Sequence, residues 1–243
     1  HRWARCPAYI PLSEGLVDEG SEDSRYGSAA HELAAMCLTT HGLHPSHVET
    51  ESIKVDGGEI KVDREMVDGV EQYVEYCESL EGDAFTEVKL DLTPWIPGGF
   101  GTADRVNFNL KTKTLTVIDL KFGKGNRVDA EKNDQMICYA LGAFNSYGYL
   151  YDIEHVEMVV FQPRLNHLDP WAITLEELLN EGERIKLAAE AVFESDVKIE
   201  AGPTQCKWCL VKKNGNGCHA LNELMMQTAI DDFSEGFALP VKE

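Results

Sequence analysis

Two apolar segments joined by a short polar stretch constrain the fold of this 243-residue chain more than any other part of the sequence. In the first segment, Val106, Phe108 and Leu110 alternate with polar residues, a pattern typical of a half-buried β-strand. The second segment covers 115–120 and is largely apolar, and residues 111–114 between the two predict a turn. We therefore expect two neighbouring antiparallel strands within an α/β fold.

The second strand ends in Asp119-Leu120-Lys121. Side chains two residues apart in a strand share a face, so Asp119 and Lys121 are expected on the same side. Asp104 precedes the first strand, and antiparallel pairing would bring it close to Asp119. Two adjacent carboxylates repel each other unless a cation lies between them, and Mg²⁺ and Mn²⁺ prefer such oxygen ligands. The pattern predicts a divalent-metal site in which Lys121 orients or helps to deprotonate an attacking water and stabilises charge that develops on a phosphate.

A helix predicted over 130–147 carries Gln135 and Tyr139, which lie four residues apart and therefore on one helix face. An Asp-x-Lys triplet by itself is common at solvated strand ends, and a Gln/Tyr pair at helical spacing is common in ordinary packing. The succession of Gly-Thr-Ala-Asp, Asp-Leu-Lys and Gln-x-x-x-Tyr is much rarer. This succession favours a metal-dependent phosphodiesterase site over unrelated surface residues.

In these motifs the chain resembles the PD-(D/E)xK nuclease superfamily, and within it the RecB-like and Cas4-like exonuclease branch with its phage-encoded relatives. The resemblance extends from about Cys6 to Cys218. It implies an α/β fold with a restriction-endonuclease-like core, in which a small mixed central sheet is flanked by helices, plus a helical portion stapled by a metal cluster. It also implies a single domain over 1–243, with the nuclease core over about 85–195.

The resemblance assigns roles to the motif residues. The metal-binding acids of the superfamily fall on Asp104 and Asp119, and its catalytic lysine falls on Lys121. Its Gln-x-x-x-Tyr motif falls on Gln135 and Tyr139, which would contact the DNA strand and support the site. All five would be catalytic residues of a Mg²⁺- or Mn²⁺-dependent enzyme.

Two further residues are candidates for the same site. The exonuclease branch has a metal-binding histidine on an upstream helix, and His31 fits that position in a helix predicted over 28–40. Glu87 lies near the start of a strand predicted over 85–92, and in related nucleases a glutamate at about this point lies near the metal. Glu87 is therefore a candidate catalytic residue or ligand of a second metal, and a solvated strand acid is the equally open alternative.

The chain has seven cysteines, an odd number that does not suggest a disulfide framework. Cys37, Cys77 and Cys138 fall within helical patterns, so we expect them to be small buried apolar residues. The remaining four lie near the two ends of the chain, and they are Cys6, Cys206, Cys209 and Cys218. Their placement separates them from the cysteines of the predicted core.

These four terminal cysteines resemble the iron–sulfur arrangement of the Cas4 and AddB nucleases. The resemblance implies a [4Fe–4S] cluster, with three of its ligands in a segment over about 200–230, that holds this segment to the N-terminus. Zinc is the alternative, because four thiolates also form a tetrahedral zinc site and His219 could replace Cys6 in a Cys₃His site.

The formal net charge of −20 argues against tight nonspecific binding of duplex DNA, because nucleic-acid binders usually carry a basic surface. Basic residues gather locally at Lys121, Lys124 and Arg127 and again over 207–213. Such a local track is compatible with single-stranded or end-containing DNA. No segment approaches the roughly 18 apolar residues of a membrane span. With no signal peptide visible, we expect no membrane contact and a location in the cytoplasm of a bacterium or phage-infected host.

The sequence thus predicts a metal-dependent DNA nuclease, expected to act as an exonuclease on DNA ends or single strands in recombination, repair or processing. A recombination or replication protein is the expected class of partner. One alternative is a catalytically weak nucleic-acid-binding or assembly subunit that keeps the fold and a structural iron–sulfur or zinc site. The other is a zinc-stabilised interaction protein without an active metal centre.

Overall fold

The computed structural model describes residues 3–18, 20–194, 196–214 and 217–236. The chain forms two compact units. We call Gly20–Ile185 the core unit, and His1–Glu19 together with Lys186–Glu243 the terminal unit. The single domain expected over 1–243 stays a prediction.

The longer elements follow each other as α1 Tyr9–Ser13, α2 Glu22–Thr39, β1 Ser52–Val55, β2 Gly58–Lys61, α3 Arg64–Ser79, β3 Asp83–Asp91, β4 Phe100–Asn109, β5 Thr114–Leu120, α4 Asp134–Tyr147, β6 His155–Gln162, β7 His167–Thr174, α5 Leu175–Glu190, α6 Leu210–Lys213 and α7 His219–Gly236. Short 3₁₀ turns link several of them. Within the described ranges, every helix is too short or too polar to span a lipid bilayer.

Five strands form the central sheet of the core unit, in the order β3-β4-β5-β6-β7. β5 and β6 run parallel and the other neighbours run antiparallel, so the sheet is mixed, as expected. Parallel neighbours need a crossover connection, and α4 lies in that connection. β1 and β2 form a separate hairpin, whose turn uses Gly57 and Gly58 at positive φ angles that favour glycine.

Helices cover both faces of the central sheet. α2 and α3 pack on one face, in a core that includes Ile118 and Leu120 of β5. α4 packs on the other face, where Tyr147 lies against the rings of Phe85 and Phe108. Side chains alternate between the two faces of β5. Ile118 and Leu120 therefore lie on the side of α2 and α3, and Asp119 lies on the side of α4.

The N-terminal part is more helical than the sequence indicates. The helix predicted over 28–40 begins at Glu22, because the Ser21 hydroxyl caps its first turn by accepting a hydrogen bond from Ser24 N at 3.1 Å. The weak, acid- and glycine-containing pattern of residues 7–24 is typical of a loop, but this stretch also contains the short helix α1. Polar and acidic residues at a helix start thus concealed an additional helical turn.

The last strand of the sheet is also longer than predicted. The sequence pattern indicates only a short strand over 171–173, whereas β7 covers His167–Thr174. β7 is an edge strand, and Pro170 is tolerated there because an edge strand leaves one row of backbone groups unpaired. The proline and the polar residues around it obscure a strand whose side chains alternate regularly between half-buried and exposed.

Candidate active site and cysteine-lined cavity

Asp104 of β4 and Asp119 of β5 lie on neighbouring antiparallel strands. Arg105 pairs with Ile118, next to both acids, and the charge of Asp104 helps to raise the pKa of Asp119, so the two carboxylates lie near each other. The Asp119 side chain is 3% exposed and that of Asp104 is 15% exposed. Asp104 Oδ2 accepts a hydrogen bond from Leu120 N at 2.7 Å, which ties the carboxylate to the neighbouring strand.

Three potential metal ligands converge from three different elements of the core unit. His31 of α2, Glu87 of β3 and Asp104 of β4 each offer one ligand atom, and these atoms all lie within 4.8 Å of one another. His31 Nδ1 is 3.1 Å from Asp104 Oδ1. One imidazole and two carboxylates form a ligand set suited to a divalent first-row metal.

Glu87 has an unusual backbone conformation, with a φ of 51° in the middle of β3. Its neighbours Thr86 and Val88 pair with Arg105 and Ala103 of β4, whereas Glu87 itself lies outside the pairing. Left-handed backbone costs a non-glycine residue about 1–2 kcal/mol, and such strain concentrates at functional sites. Here the strain accompanies the placement of a carboxylate beside the two other potential ligands.

The Asp119 carboxylate belongs to a polar network on the α4 side of the sheet. Its Oδ1 accepts a hydrogen bond from Gln135 Nε2 at 3.1 Å, and its Oδ2 is 2.8 Å from Lys121 Nζ. Gln135 Oε1 in turn accepts from Lys121 Nζ at 2.9 Å. Gln135 Nε2 also donates to Tyr139 OH at 2.9 Å. Gln135 thus connects the acid, the lysine and the tyrosine.

The start of α4 determines where Gln135 and Tyr139 lie. The helix was expected to begin at residue 130, but it begins at Asp134, because the Asn133 side chain caps it by accepting a hydrogen bond from Gln135 N at 3.0 Å. Gln135 therefore lies in the first turn, and Tyr139 lies one turn later on the same face.

Burial and charge together set the pKa values of these groups. Burial raises the pKa of Asp119, and the net shift stays upward although Lys121 opposes it. Burial lowers the pKa of His31, but its hydrogen bond to Asp104 and the charge of that acid more than offset this. Burial, followed by the charge of Asp104, raises the pKa of Glu87. A bound cation would favour the charged carboxylates and so relieve these upward shifts.

The residues present fit a divalent cation, and Asp119 as one of its ligands stays a prediction. His31, Asp104 and Asp119 were the predicted ligands, but the group within 4.8 Å contains Glu87 instead of Asp119. Asp119 Oδ2 is buried and lies 2.8 Å from Lys121 Nζ. A carboxylate oxygen has more than one lone pair, so this oxygen can also accept a bond from a metal-bound water.

The loop that follows Lys121 is fixed by the last residue of β6. Gln162 of β6 is 1% exposed. Its Oε1 accepts a hydrogen bond from Val128 N at 2.7 Å, and its Nε2 donates to Asn126 O at 3.0 Å. A glutamine at a strand end gives no distinguishing pattern, because its partners lie more than thirty residues away.

A second His/Asp group strengthens the attachment of this loop. Asp129, His167 and Asp169 also place ligand atoms within 4.8 Å of one another. Asp169 Oδ2 accepts a hydrogen bond from Ala130 N at 2.6 Å, and His167 Nε2 lies 3.3 Å from Val128 O. These bonds give two of the three side chains a structural role in joining the loop to β7.

Arg164 follows β6, and its side chain is only 8% exposed. Its Nη1 donates a hydrogen bond to Phe122 O at 3.0 Å, and its Nη2 is 3.1 Å from Glu65 Oε2. The guanidinium carbon lies 4.8 Å from the centroid of the Tyr26 ring. Arg164 therefore fixes the backbone immediately after Lys121, which no local sequence signal indicates.

Four cysteines line one cavity of the terminal unit, and they are Cys6, Cys206, Cys209 and Cys218. Cys6 Sγ accepts a hydrogen bond from Glu200 N, and Cys206 Sγ accepts one from Gly202 N, each at 3.4 Å. Burial raises the pKa of Cys6, the Glu200 amide lowers it, and the charges of the other three cysteines raise it again. Cys37, Cys77 and Cys138 are buried in the core unit as free thiols.

The fold and the site define a mixed α/β protein in which a His/Glu/Asp group lies beside an acid–lysine–glutamine network. The chain belongs to the family described as "Protein of unknown function (DUF2800)", whose model matches residues 1–243. A solved structure titled "Crystal structure of SSO0001" is similar at 18% identity over 87% of this chain and 82% of that chain, with a TM-score of 0.32. A likeness at that TM-score carries no argument about the fold.

Proposed function

We propose that this chain is a Mg²⁺- or Mn²⁺-dependent DNA nuclease of the PD-(D/E)xK type, acting as an exonuclease on DNA ends or single strands. The observation that carries the proposal is the presence of two complementary groups around β4 and β5. One is the group of His31, Glu87 and Asp104, which suits a metal. The other is the buried Asp119–Lys121 pair, which combines an acid with a fixed positive charge.

His31, Glu87 and Asp104 would hold the cation, with Asp119 Oδ2 facing a metal-bound water or the metal itself. When bound, such a cation polarises a phosphodiester and lowers the pKa of a coordinated water. The strand pairing and the Leu120 N bond to Asp104 hold two of these acids without any need for rearrangement.

Lys121 acts in this proposal as a fixed cation and hydrogen-bond donor, not as a base. Burial lowers its pKa, but the neighbouring Asp119 more than offsets this, so the net shift is upward and the ammonium stays charged. Its Nζ lies 2.9 Å from Gln135 Oε1, which restricts its direction. A positive charge held in place in this way stabilises negative charge that develops on the phosphoryl oxygens.

Gln135 and Tyr139 would position the scissile strand. The Gln135 amide is hydrogen-bonded to Asp119, Lys121 and Tyr139, so its main effect is to orient those groups. Tyr139 OH accepts a hydrogen bond from Gln135, which leaves the phenolic proton for a phosphate oxygen. Burial raises the pKa of Tyr139, so this proton is retained at neutral pH.

The proposal includes a [4Fe–4S] cluster held by the four cysteines of the terminal-unit cavity. Backbone N–H···S bonds to Cys6 and Cys206 suit thiolate ligands of such a cluster. Zinc bound by the same four thiolates is the alternative. Among the described residues that line the cavity His219 is missing, which argues against a Cys₃His zinc site.

The net charge of −20 favours one alternative, a catalytically weak nucleic-acid-binding or assembly subunit with the same fold. Both this subunit and the proposed enzyme would work with a recombination or replication partner in the cytoplasm of a bacterium or phage-infected host. Cleavage by the wild-type chain, lost on substitution of the site, would exclude this alternative.

The deciding experiment is a cleavage assay on end-labelled single- and double-stranded DNA with Mn²⁺ or Mg²⁺. Wild type is compared with Asp119→Ala and Lys121→Ala, and the matched controls are Glu59→Ala and Lys61→Ala on the exposed β2 strand. We expect the site variants to lose activity by about 10³-fold, as for loss of a group that stabilises the transition state, and the controls to keep it. A wild type that never cuts, or site variants that cut equally well, would refute the proposal.

A further inference from the structure

A second cleft lies on the central sheet, beyond the C-terminal end of α3. Its volume is about 580 Å³, and Glu81, just after α3, forms part of its wall. Small-molecule sites typically have volumes of about 300–1,000 Å³. The cleft is therefore large enough for a small ligand.

The floor of this cleft is a row of side chains in register across the sheet. Asn107 pairs with Thr116, Thr116 pairs with Glu157, and Glu157 pairs with Ala172. Residues paired across neighbouring strands share one face, so these side chains lie next to each other on a rigid surface. Thr114 and His155 form the next pair on the same face, two residues before Thr116 and Glu157, and His155 adds to the wall of the cleft.

Asn107 has an unsatisfied acceptor at this floor. The residue is 2% exposed, and its Nδ2 donates a hydrogen bond to Glu81 O at 3.0 Å. Its Oδ1 is buried and has no hydrogen-bond partner within the described ranges. Buried polar atoms normally have a partner, so an unpaired oxygen that borders a cleft indicates a missing donor.

The charges around the cleft restrict the ligand class. Glu81, Glu157 and Glu177 line it, whereas no lysine or arginine does so among the residues that the structure describes. Lys111 pairs with Glu81 at 2.8 Å, which offsets one of the three charges. A phosphate or carboxylate would therefore meet repulsion. Phe, Tyr and Trp are also missing from the described lining, so a nucleobase would find no ring on which to stack.

We propose that this cleft binds a small organic cation that carries several N–H donors on ammonium or guanidinium groups. Glu157 would supply the opposite charge, and Asn107 Oδ1 and the Thr116 hydroxyl would accept N–H hydrogen bonds. An N–H donor at Asn107 would satisfy the orphaned oxygen, and a carboxylate makes such bonds stronger than neutral acceptors do.

The cleft is distinct from the candidate active site. Asp104 and Asn107 lie three residues apart on β4, and Thr116 and Asp119 lie three residues apart on β5. Three residues span roughly 10 Å along a strand, so the floor of the cleft lies about that far from the two acids. Substitutions in the cleft can therefore be tested without removing the proposed catalytic groups.

The test is calorimetric titration of the full chain with spermidine and, separately, with agmatine, at about 0.15 M salt to screen nonspecific attraction to the acidic surface. Inorganic phosphate is the anionic control. We expect one saturable site for at least one of the two cations and none for phosphate.

Glu157→Gln should weaken this binding at least tenfold, whereas Glu59→Gln on the exposed hairpin should leave it unchanged. Thr116→Val, which conserves shape and removes the hydroxyl, provides a second variant if Glu157→Gln disturbs folding. Both variants should cleave DNA at the same rate as wild type. The proposal is overturned if neither cation shows saturable binding up to about 10 mM, if both variants bind like wild type, or if phosphate binds in their place.

Discussion

The candidate active site of the core unit and the cysteine-lined cavity of the terminal unit both gather metal-ligating side chains, but in different ways. His31, Glu87 and Asp104 come from a long helix and two paired strands, which hold them through their own packing and backbone bonds. The four cysteines come from segments near the chain ends, which are joined by bonds such as Ala8 N to Lys198 O at 3.2 Å. The fold itself supports the first arrangement, whereas under the proposed function a metal cluster would support the second.

The strongest test of this difference is selective removal of the divalent metal. Treatment with EDTA should abolish DNA cleavage, and excess Mn²⁺ should restore it, because the site residues are held by the fold itself. Circular dichroism before and after chelation should show unchanged secondary structure. Unfolding on chelation, or cleavage that persists in EDTA, would contradict a preformed and exchangeable metal site.

Removal of a cysteine ligand should have the opposite outcome. Cys206→Ser should lower the iron and acid-labile sulfide content and reduce the free energy of unfolding by about 2–5 kcal/mol, as does loss of a covalent link that closes a long loop. Elemental analysis and denaturant unfolding measure the two effects. Cys37→Ala is the control, since that buried thiol lies in α2 of the core unit and should leave the iron content unchanged.

Gln135→Ala should slow cleavage by about 10–10²-fold, less than loss of Lys121, because it removes orientation but leaves the charges. Gln135 holds Asp119, Lys121 and Tyr139 together, so its effect should overlap with that of Tyr139→Phe. A double-mutant cycle on the cleavage rate measures this overlap. Fully additive effects would show that the four side chains do not act as one network.

Gln162→Ala tests the attachment of the loop after Lys121. It removes hydrogen bonds to Val128 N and Asn126 O in a buried position, so the free energy of unfolding should fall by about 1–3 kcal/mol. Hydrogen exchange should show reduced protection at Val128. If protection is unchanged, the loop is held by the group of His167 and Asp169 alone.

The smallest expected effect is at Glu87, where two substitutions distinguish the cost of backbone strain from the contribution of the carboxylate to metal binding. Glu87→Gly should raise the free energy of unfolding by up to about 1 kcal/mol, because glycine accepts a positive φ without strain. The same change should weaken Mn²⁺ binding. Glu87→Gln keeps the backbone strain and removes only the charge, so it should weaken metal binding with no such gain from the backbone. Equal metal affinity in all three proteins would remove Glu87 from the site.

The sequence allowed prediction of those features that depend on local spacing. Alternation over β4, the apolar run of β5 and the four-residue interval between Gln135 and Tyr139 predict two strands and one helix face, which the structure contains. The closeness of His31 and Asp104 could be expected only from a family resemblance, because 73 residues separate them.

Other features of the site depend on tertiary contacts and were not predictable from local patterns. The positive φ of Glu87 arises within a strand whose sequence is ordinary, and no residue type at that position signals it. Gln162 and Arg164 look like surface residues at a strand end. Their burial follows from the loop after Lys121 folding back over them, as the bonds to Val128 N and Phe122 O record.

The span of chain between bonded partners has a consequence for the order of folding. Lys121 and Gln135 are 14 residues apart, whereas His31 and Asp104 are 73 apart. Closing a longer stretch of chain costs more entropy, so distant contacts tend to form later. When the full chain refolds, the lysine network would thus tend to form first, and the contact between His31 and Asp104 would form later. Under the proposed function, partly folded intermediates that lack the histidine contact would be unable to cut DNA.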